Sequence, residues 1–175
     1  MGHACARAPA APDDLFRSRA GLTCGIYVAG ALFSEAERAW LDGLAARLRG
    51  EGFECFVPHE QFGELTELTP AEVYRVDADG VRSANVLLAW LDGPSIDDGT
   101  ACEIGMFAEL VERDERRYRG IVGLVTDLRL ERRRGNAAGD GMNLFVAGAI
   151  EACGRICWSV DDAVEALREL ESQPR

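Results

Sequence analysis

The segment Asp92-Gly-Pro-Ser-Ile-Asp97-Asp98-Gly99-Thr100-Ala-Cys-Glu103-Ile-Gly105 gathers four carboxylates and no cation. A helix is expected to open at Thr100, which puts Glu103 in its first turn, where the positive end of the helix dipole favours the ionised form. An ionised, partly desolvated carboxylate facing a cleft can attack an electrophilic sugar carbon or stabilise an oxocarbenium ion. The same residues admit a structural reading. Thr100-x-x-Glu103 is also a capping box, and the chain repeats that device at Ser34-x-x-Glu37 and Thr69-x-x-Glu72. Asp97 and Asp98 can be solvated loop carboxylates, and Gly99 can serve only to relax the turn. Asp127, at the end of an apolar run, either touches a ligand or braces its loop. Cys102 is expected to face inward as a small apolar residue. Trp40, Trp90 and Trp158 read as core, and Arg132-Arg133-Arg134 as a solvated run.

The elements that must position these groups follow from the periodicity. Cys24 to Gly30, Phe53 to Val57, Asn85 to Leu91, Ile121 to Val125 and Ile156 to Trp158 are short apolar runs of strand length. Asn85-Val-Leu-Leu-Ala-Trp-Leu91 is apolar on both faces, as a strand inside a parallel sheet must be. Between the runs lie helical patterns: from Ser34 with Trp40, Leu41, Leu44 and Leu48 inward, and from Thr69 with Val73, Val76 and Val81 inward. Further ones start at Thr100 with Ile104, Phe107, Ala108 and Val111, at Asn143, and at Ser159 with Val160, Ala163, Val164 and Leu167. Strands alternating with helices give an α/β fold, a flavodoxin-like doubly wound parallel sheet of five strands in the order 2-1-3-4-5 with helices on both faces. Ligands in such folds bind at the carboxyl ends of the strands, so the loops after Gly30, Val57, Leu91 and Val125 are where chemistry is expected. Residues 1–22 read as a flexible leader and residues 23–175 as one domain. The Asp127 to Asn143 connection is longer than a common loop and is a candidate lid or specificity element.

Composition removes several classes. The chain of 175 residues carries a formal charge of −11, from 30 acidic and 19 basic residues, which does not suit a polymeric nucleic acid as partner. All the basic residues are arginine, so lysine Schiff-base and P-loop chemistry are absent. Nothing approaches the ~18 apolar residues of a membrane span. The six cysteines contain no C-x-x-C pair, and the two histidines, His3 and His59, lie far apart, so no zinc site is expected. Reduced thiols and the lack of a secretory signal give a cytoplasmic expectation.

Several separated segments together resemble the nucleoside 2-deoxyribosyltransferase family. These are Ile26-Tyr27-Val28-Ala29-Gly30 with Phe33, Val57-Pro58 with Gln61, Asp77, Asp97-x-Gly99-Thr100-x-x-Glu103-x-Gly105, and Asn143-Leu144. They cover roughly residues 24–158. The resemblance implies base exchange on 2′-deoxynucleosides, with a deoxynucleoside and a free nucleobase as substrates and no cofactor or metal. In that reading Glu103 attacks C1′ to give a covalent deoxyribosyl-enzyme, and Asp77 positions or protonates the departing base. Tyr27 orients Glu103 and crowds the sugar's 2′ side, and Gln61 serves the base. Gly30, Phe33 and Gly99 belong to the substrate pocket. Asp97 and Asn143 hold the 5′-hydroxyl, the asparagine reaching into a neighbouring subunit of a homo-oligomer, a dimer or a trimer of dimers. A carboxylate at position 97 disfavours a 5′-phosphate and accepts a hydrogen bond from a hydroxyl. The alternatives are an N-glycosidic hydrolase of nucleosides or their 5′-monophosphates, and a catalytically silent nucleoside-sensing module. Both Glu103 and Asp77 are present, which weighs against the latter.

Overall fold

A computed structural model describes residues 25–62, 68–132 and 142–173. Its strands are β1 (Gly25–Ala29), β2 (Glu54–Phe56), β3 (Val86–Trp90), β4 (Gly120–Leu124) and β5 (Gly154–Cys157). They pair in parallel throughout, in the order β2-β1-β3-β4-β5. The helices among the described residues are α1 (Glu35–Gly50), α2 (Pro70–Ser83), α3 (Asp98–Arg113), α4 (Leu128–Arg132), α5 (Leu144–Cys153) and α6 (Val160–Ser172). This is the doubly wound sheet that the alternation of patterns predicts. The leader, the first strand's expected start at Cys24 and residues 63–67 and 133–141, with Arg133 and Arg134, lie outside the described residues. The short α4, inside what reads from the sequence as an Arg- and Gly-rich loop, is new. No helix among the described residues is long and apolar enough to cross a membrane.

Helix starts are set by side chains that satisfy the free N–H groups of the first turn. Ser34 and Thr69 each form the expected reciprocal box, with Glu37 and Glu72. The start of α3 differs. Asp97 is the N-cap, its Oδ2 accepting from Thr100 N at 2.9 Å and Thr100 Oγ1 at 3.1 Å. The Thr100–Glu103 box therefore does not form, and Glu103 sits in the second turn of α3, not the first. The earlier start leaves the inward stripe where the periodicity puts it. Thr100, Ile104 and Phe107 are buried, while Cys102 is exposed, contrary to its expected inward position.

Alternation along β1 divides the core. Ile26 and Val28 pack with Leu41, Leu44 and Leu48 of α1 and Val164 and Leu167 of α6. Tyr27 and Ala29 point to the opposite face, against Val81 of α2, Ile104 and Phe107 of α3 and Ile150 of α5. Trp40 and Trp90, half-buried, meet each other at 5.7 Å between ring centroids at the edge of the first core.

Tyr27 is fully buried, and its ring stacks on Phe56 of β2 with centroids 5.3 Å apart and planes 16° apart. Phe56 in turn lies against Gly80 of α2, where an added Cβ would fall 2.6 Å from the ring. Gly80→Ala should therefore push Phe56 onto Tyr27 and cost about 1–3 kcal/mol of stability. Thermal unfolding of that variant measures the cost, and an unchanged Tm would show that the stack yields freely.

Candidate active site

β1 brings Tyr27 up from the sheet, and α3 brings Glu103 down to meet it. On α3, Glu103 lies three residues after Thr100 and four before Phe107, on the inward stripe of the helix. That placement desolvates a carboxylate with one partner at hand. The Tyr27 hydroxyl donates to Glu103 Oε1 at 2.5 Å. Burial, then the carboxylates of Glu103 and Asp77, hold the Tyr27 phenol far above its usual range, so it stays protonated and donates. Glu103 is pushed up to about 7, chiefly by burial, with Asp77 and Asp97 adding repulsion and the Tyr27 bond opposing them. Asp77, on the same stripe of α2 as Val73 and Val81, is pushed up to about 6 by burial, and its Oδ1 is enclosed without a protein partner.

These groups line one cavity of about 460 Å³ at the carboxyl end of the sheet. Gly30, Leu32 and Phe33 contribute from the loop after β1, and Pro58, His59 and Phe62 from the segment after β2. Leu68, Val73 and Asp77 come from the start of α2, and Asp97, Gly99, Thr100 and Glu103 from α3. Phe33 is 73% exposed, an aromatic face standing at the cavity wall. The cavity thus has an acidic side, Asp97 and Glu103 of α3 facing Asp77 of α2, and an apolar end formed by Pro58, Phe62, Leu68 and Val73. A flat apolar ring fits the second and a polyhydroxylated group the first.

Of the residues singled out in the sequence, Glu103, Asp77, Asp97, Gly30, Phe33 and Gly99 line this cavity, and Tyr27 is bonded to Glu103 beneath it. Gln61 and Asn143 do not line it. The 3-10 turn Pro58–Gln61 swings the Gln61 amide back to donate to the Val57 carbonyl at 3.1 Å. Asn143 caps α5, its Oδ1 accepting from Phe145 N and Val146 N. Asp127 braces its loop: it accepts from Arg129 N at 2.8 Å and pairs with the Arg129 guanidinium.

Three contributors were not singled out from the sequence. Arg38 lines the cavity and fastens its wall, Nη1 donating to the Leu32 and Phe33 carbonyls at 2.9 Å each. His59 lines the far wall, its Nε2 2.7 Å from Asp42 Oδ1. Asp92 accepts from Thr126 N at 2.6 Å, Asp127 N at 3.0 Å and the Thr126 hydroxyl, tying the loop before α3 to the end of β4. A polar residue two or three positions after a strand's carboxyl end is the one signal that Asp92 and His59 share.

Known proteins share the fold that carries this cavity. Among solved structures, a conserved protein from Enterococcus faecalis V583 is similar at 26% identity and a TM-score of 0.69, over 85% of this chain and 99% of that one. A 2-deoxyribosyltransferase from Bacillus psychrosaccharolyticus shares the fold at 18% identity and a TM-score of 0.62, over 87% and 99% of the two chains. One from Leishmania mexicana does so at 19% and 0.58, over 86% and 99%. No curated protein matches the chain. A family model described as nucleoside 2-deoxyribosyltransferase matches residues 26–144, from β1 to the first residue of α5, and on that match the chain belongs to the nucleoside 2-deoxyribosyltransferase family.

Proposed function

We propose that this protein transfers 2-deoxyribose between nucleobases, with Glu103 as the nucleophile. The observation that carries the reading is the Tyr27–Glu103 pair, a desolvated carboxylate held by a phenol in a cavity that also holds a second raised carboxyl, Asp77. In the first step Glu103 attacks C1′ of a bound 2′-deoxynucleoside. The C1′–O bond forms as the C1′–N bond breaks, and the base leaves with the electron pair and takes a proton from Asp77. In the second step another base attacks C1′ from the vacated side, returns its proton to Asp77 and frees Glu103. Two displacements retain the anomeric configuration. The donor and the carboxylates are all side chains, so the reaction as proposed calls on no cofactor.

The sugar belongs at the acidic side. Both bonds of the Asp97 cap fall on Oδ2, which leaves Oδ1 for the 5′-hydroxyl. A neutral hydroxyl suits this side and a dianionic phosphate does not. This supports exchange on nucleosides over hydrolysis of 5′-monophosphates. Gly30, Phe33 and Gly99 shape the walls around sugar and base. Asn143 of a neighbouring copy completes the 5′-hydroxyl contacts in a homo-oligomer, and the protein works in the cytoplasm on soluble nucleosides.

Incubation with 2′-deoxyinosine and adenine, resolved by liquid chromatography, tests the reading. A peak of 2′-deoxyadenosine with little free deoxyribose is expected. Hypoxanthine release without a new nucleoside would replace transfer by hydrolysis.

The two raised carboxyls also set a pH dependence. Glu103 must be ionised to attack, and activity rises as the pH climbs through about 7. Asp77 must carry a proton to give it, and activity falls as the pH climbs through about 6. The pair should give a bell-shaped profile of kcat/KM, narrow and centred between about 6 and 7. A profile flat from about pH 5.5 to 8 would remove one of the two roles.

A further inference from the structure

We propose that His59 reads the nucleobase, and that Asp42 sets how it reads: the pair selects a base with an amino group, not a carbonyl, on the edge turned to β2. The proposal rests on the deoxyribosyl-transfer reading of the same cavity and adds the substrate class.

The placement comes from the sheet. β1 lies between β2 and β3, and neighbouring strands are ~4.8 Å apart, so the β2 end of the cavity is roughly 10 Å from the β3 end. Glu103 reaches over β1 to Tyr27. A sugar held there has its base extending toward β2, where His59 lines the wall with Pro58 and Phe62.

The chemistry comes from the partner. Asp42 Oδ1 stands 2.7 Å from His59 Nε2. A carboxylate only accepts, so Nε2 carries the ring proton and a neutral ring has its lone pair at Nδ1. That atom is enclosed and has no protein partner. An enclosed acceptor without a donor calls for a ligand that brings an N–H group. An amino group at the 6-position of a purine or the 4-position of a pyrimidine supplies one, and an oxo group there meets the Nδ1 lone pair with its own. Asp42 itself is 58% exposed and is not part of the cavity wall, so it acts through His59 as a positioning residue.

Asp42→Asn tests this without touching the ligand. The amide can accept from or donate to Nε2, which releases the ring to either tautomer. The wild type should favour 2′-deoxyadenosine over 2′-deoxyinosine in kcat/KM. D42N should lower that ratio about ten-fold, the worth of one matched against one opposed hydrogen bond. His59→Phe should lower it equally, since it keeps a ring and removes the lone pair. A ratio unchanged in both variants, with both substrates turned over, would overturn the proposal. Should the wild type cleave no nucleoside, the transfer reading fails, and calorimetry with free adenine and hypoxanthine still decides this one. Tighter binding of adenine that D42N abolishes supports it, and equal affinities in the wild type overturn it.

Discussion

Glu103→Gln should reduce base exchange by about 1,000-fold or more while making the protein more stable. The loss follows from removing the proposed nucleophile, an effect of this size being usual for such a group. The gain follows from what it costs to hold that group ready. Folded Glu103 gives up its proton near pH 7, against an ordinary 4.5. Its native state is thus unpenalised below about pH 4.5 and loses stability as the pH rises through about 7. The amide keeps a partner for the Tyr27 hydroxyl and carries no charge to desolvate. At about pH 8 the variant should be more stable by roughly 2–3 kcal/mol, and at about pH 5 the advantage should shrink to below about 1 kcal/mol. Thermal melts at the two pH values, beside the exchange assay, read both halves. Retained activity would remove the nucleophile, and equal melts at both pH values would remove the desolvation cost.

Tyr27→Phe should have the second largest effect. The ring, fully buried and stacked on Phe56, keeps its packing, and only the hydroxyl is lost. That hydroxyl is the one interaction that draws the Glu103 carboxyl down against burial and the charges of Asp77 and Asp97. Without it Glu103 takes its proton at still higher pH. At neutral pH kcat/KM should fall roughly 10–100-fold, the worth of a hydrogen bond to a charged group. Because Glu103 titrates above Asp77, it sets the alkaline limb of the pH profile, which should move upward, and the loss relative to the wild type should shrink as the pH rises. A loss of the same size at every pH, with both limbs unmoved, would instead mean that Tyr27 only shapes the sugar site.

How far the sequence carries this picture depends on whether the deciding interaction is local. The strands are legible because an apolar run buried on both faces has few alternatives. The Ser34 and Thr69 boxes are legible because each is complete within four residues. At α3 two caps compete, Asp97 with Thr100 and Thr100 with Glu103, and local preference does not separate them. What separates them is Tyr27, on a strand 76 residues away, which takes the Glu103 carboxylate and leaves the cap to Asp97. Cys102 lies two residues, about 200°, from Ile104 on the inward stripe, so its exposure is already legible in the periodicity. The roles of Asp92 and His59 are not, since their partners Thr126 and Asp42 meet them only once the sheet is assembled. Gln61 matches a family position by type, but the 3-10 turn aims its amide at the backbone.

The Asp92 tie has a consequence for how this site can be varied. The connection between β4 and α5 is fastened at both ends, by Asp92 on Thr126 and Asp127 and by Asn143 on the first turn of α5. Asp92 belongs to the same loop that delivers Asp97 and the start of α3, so the anchor of the connection and the frame of the nucleophile are one structure. Substitutions in α4, which lies between the fastenings, should therefore leave Asp97 and the start of α3 in place, and a change at Asp92 should disturb both ends of the cavity's frame at once.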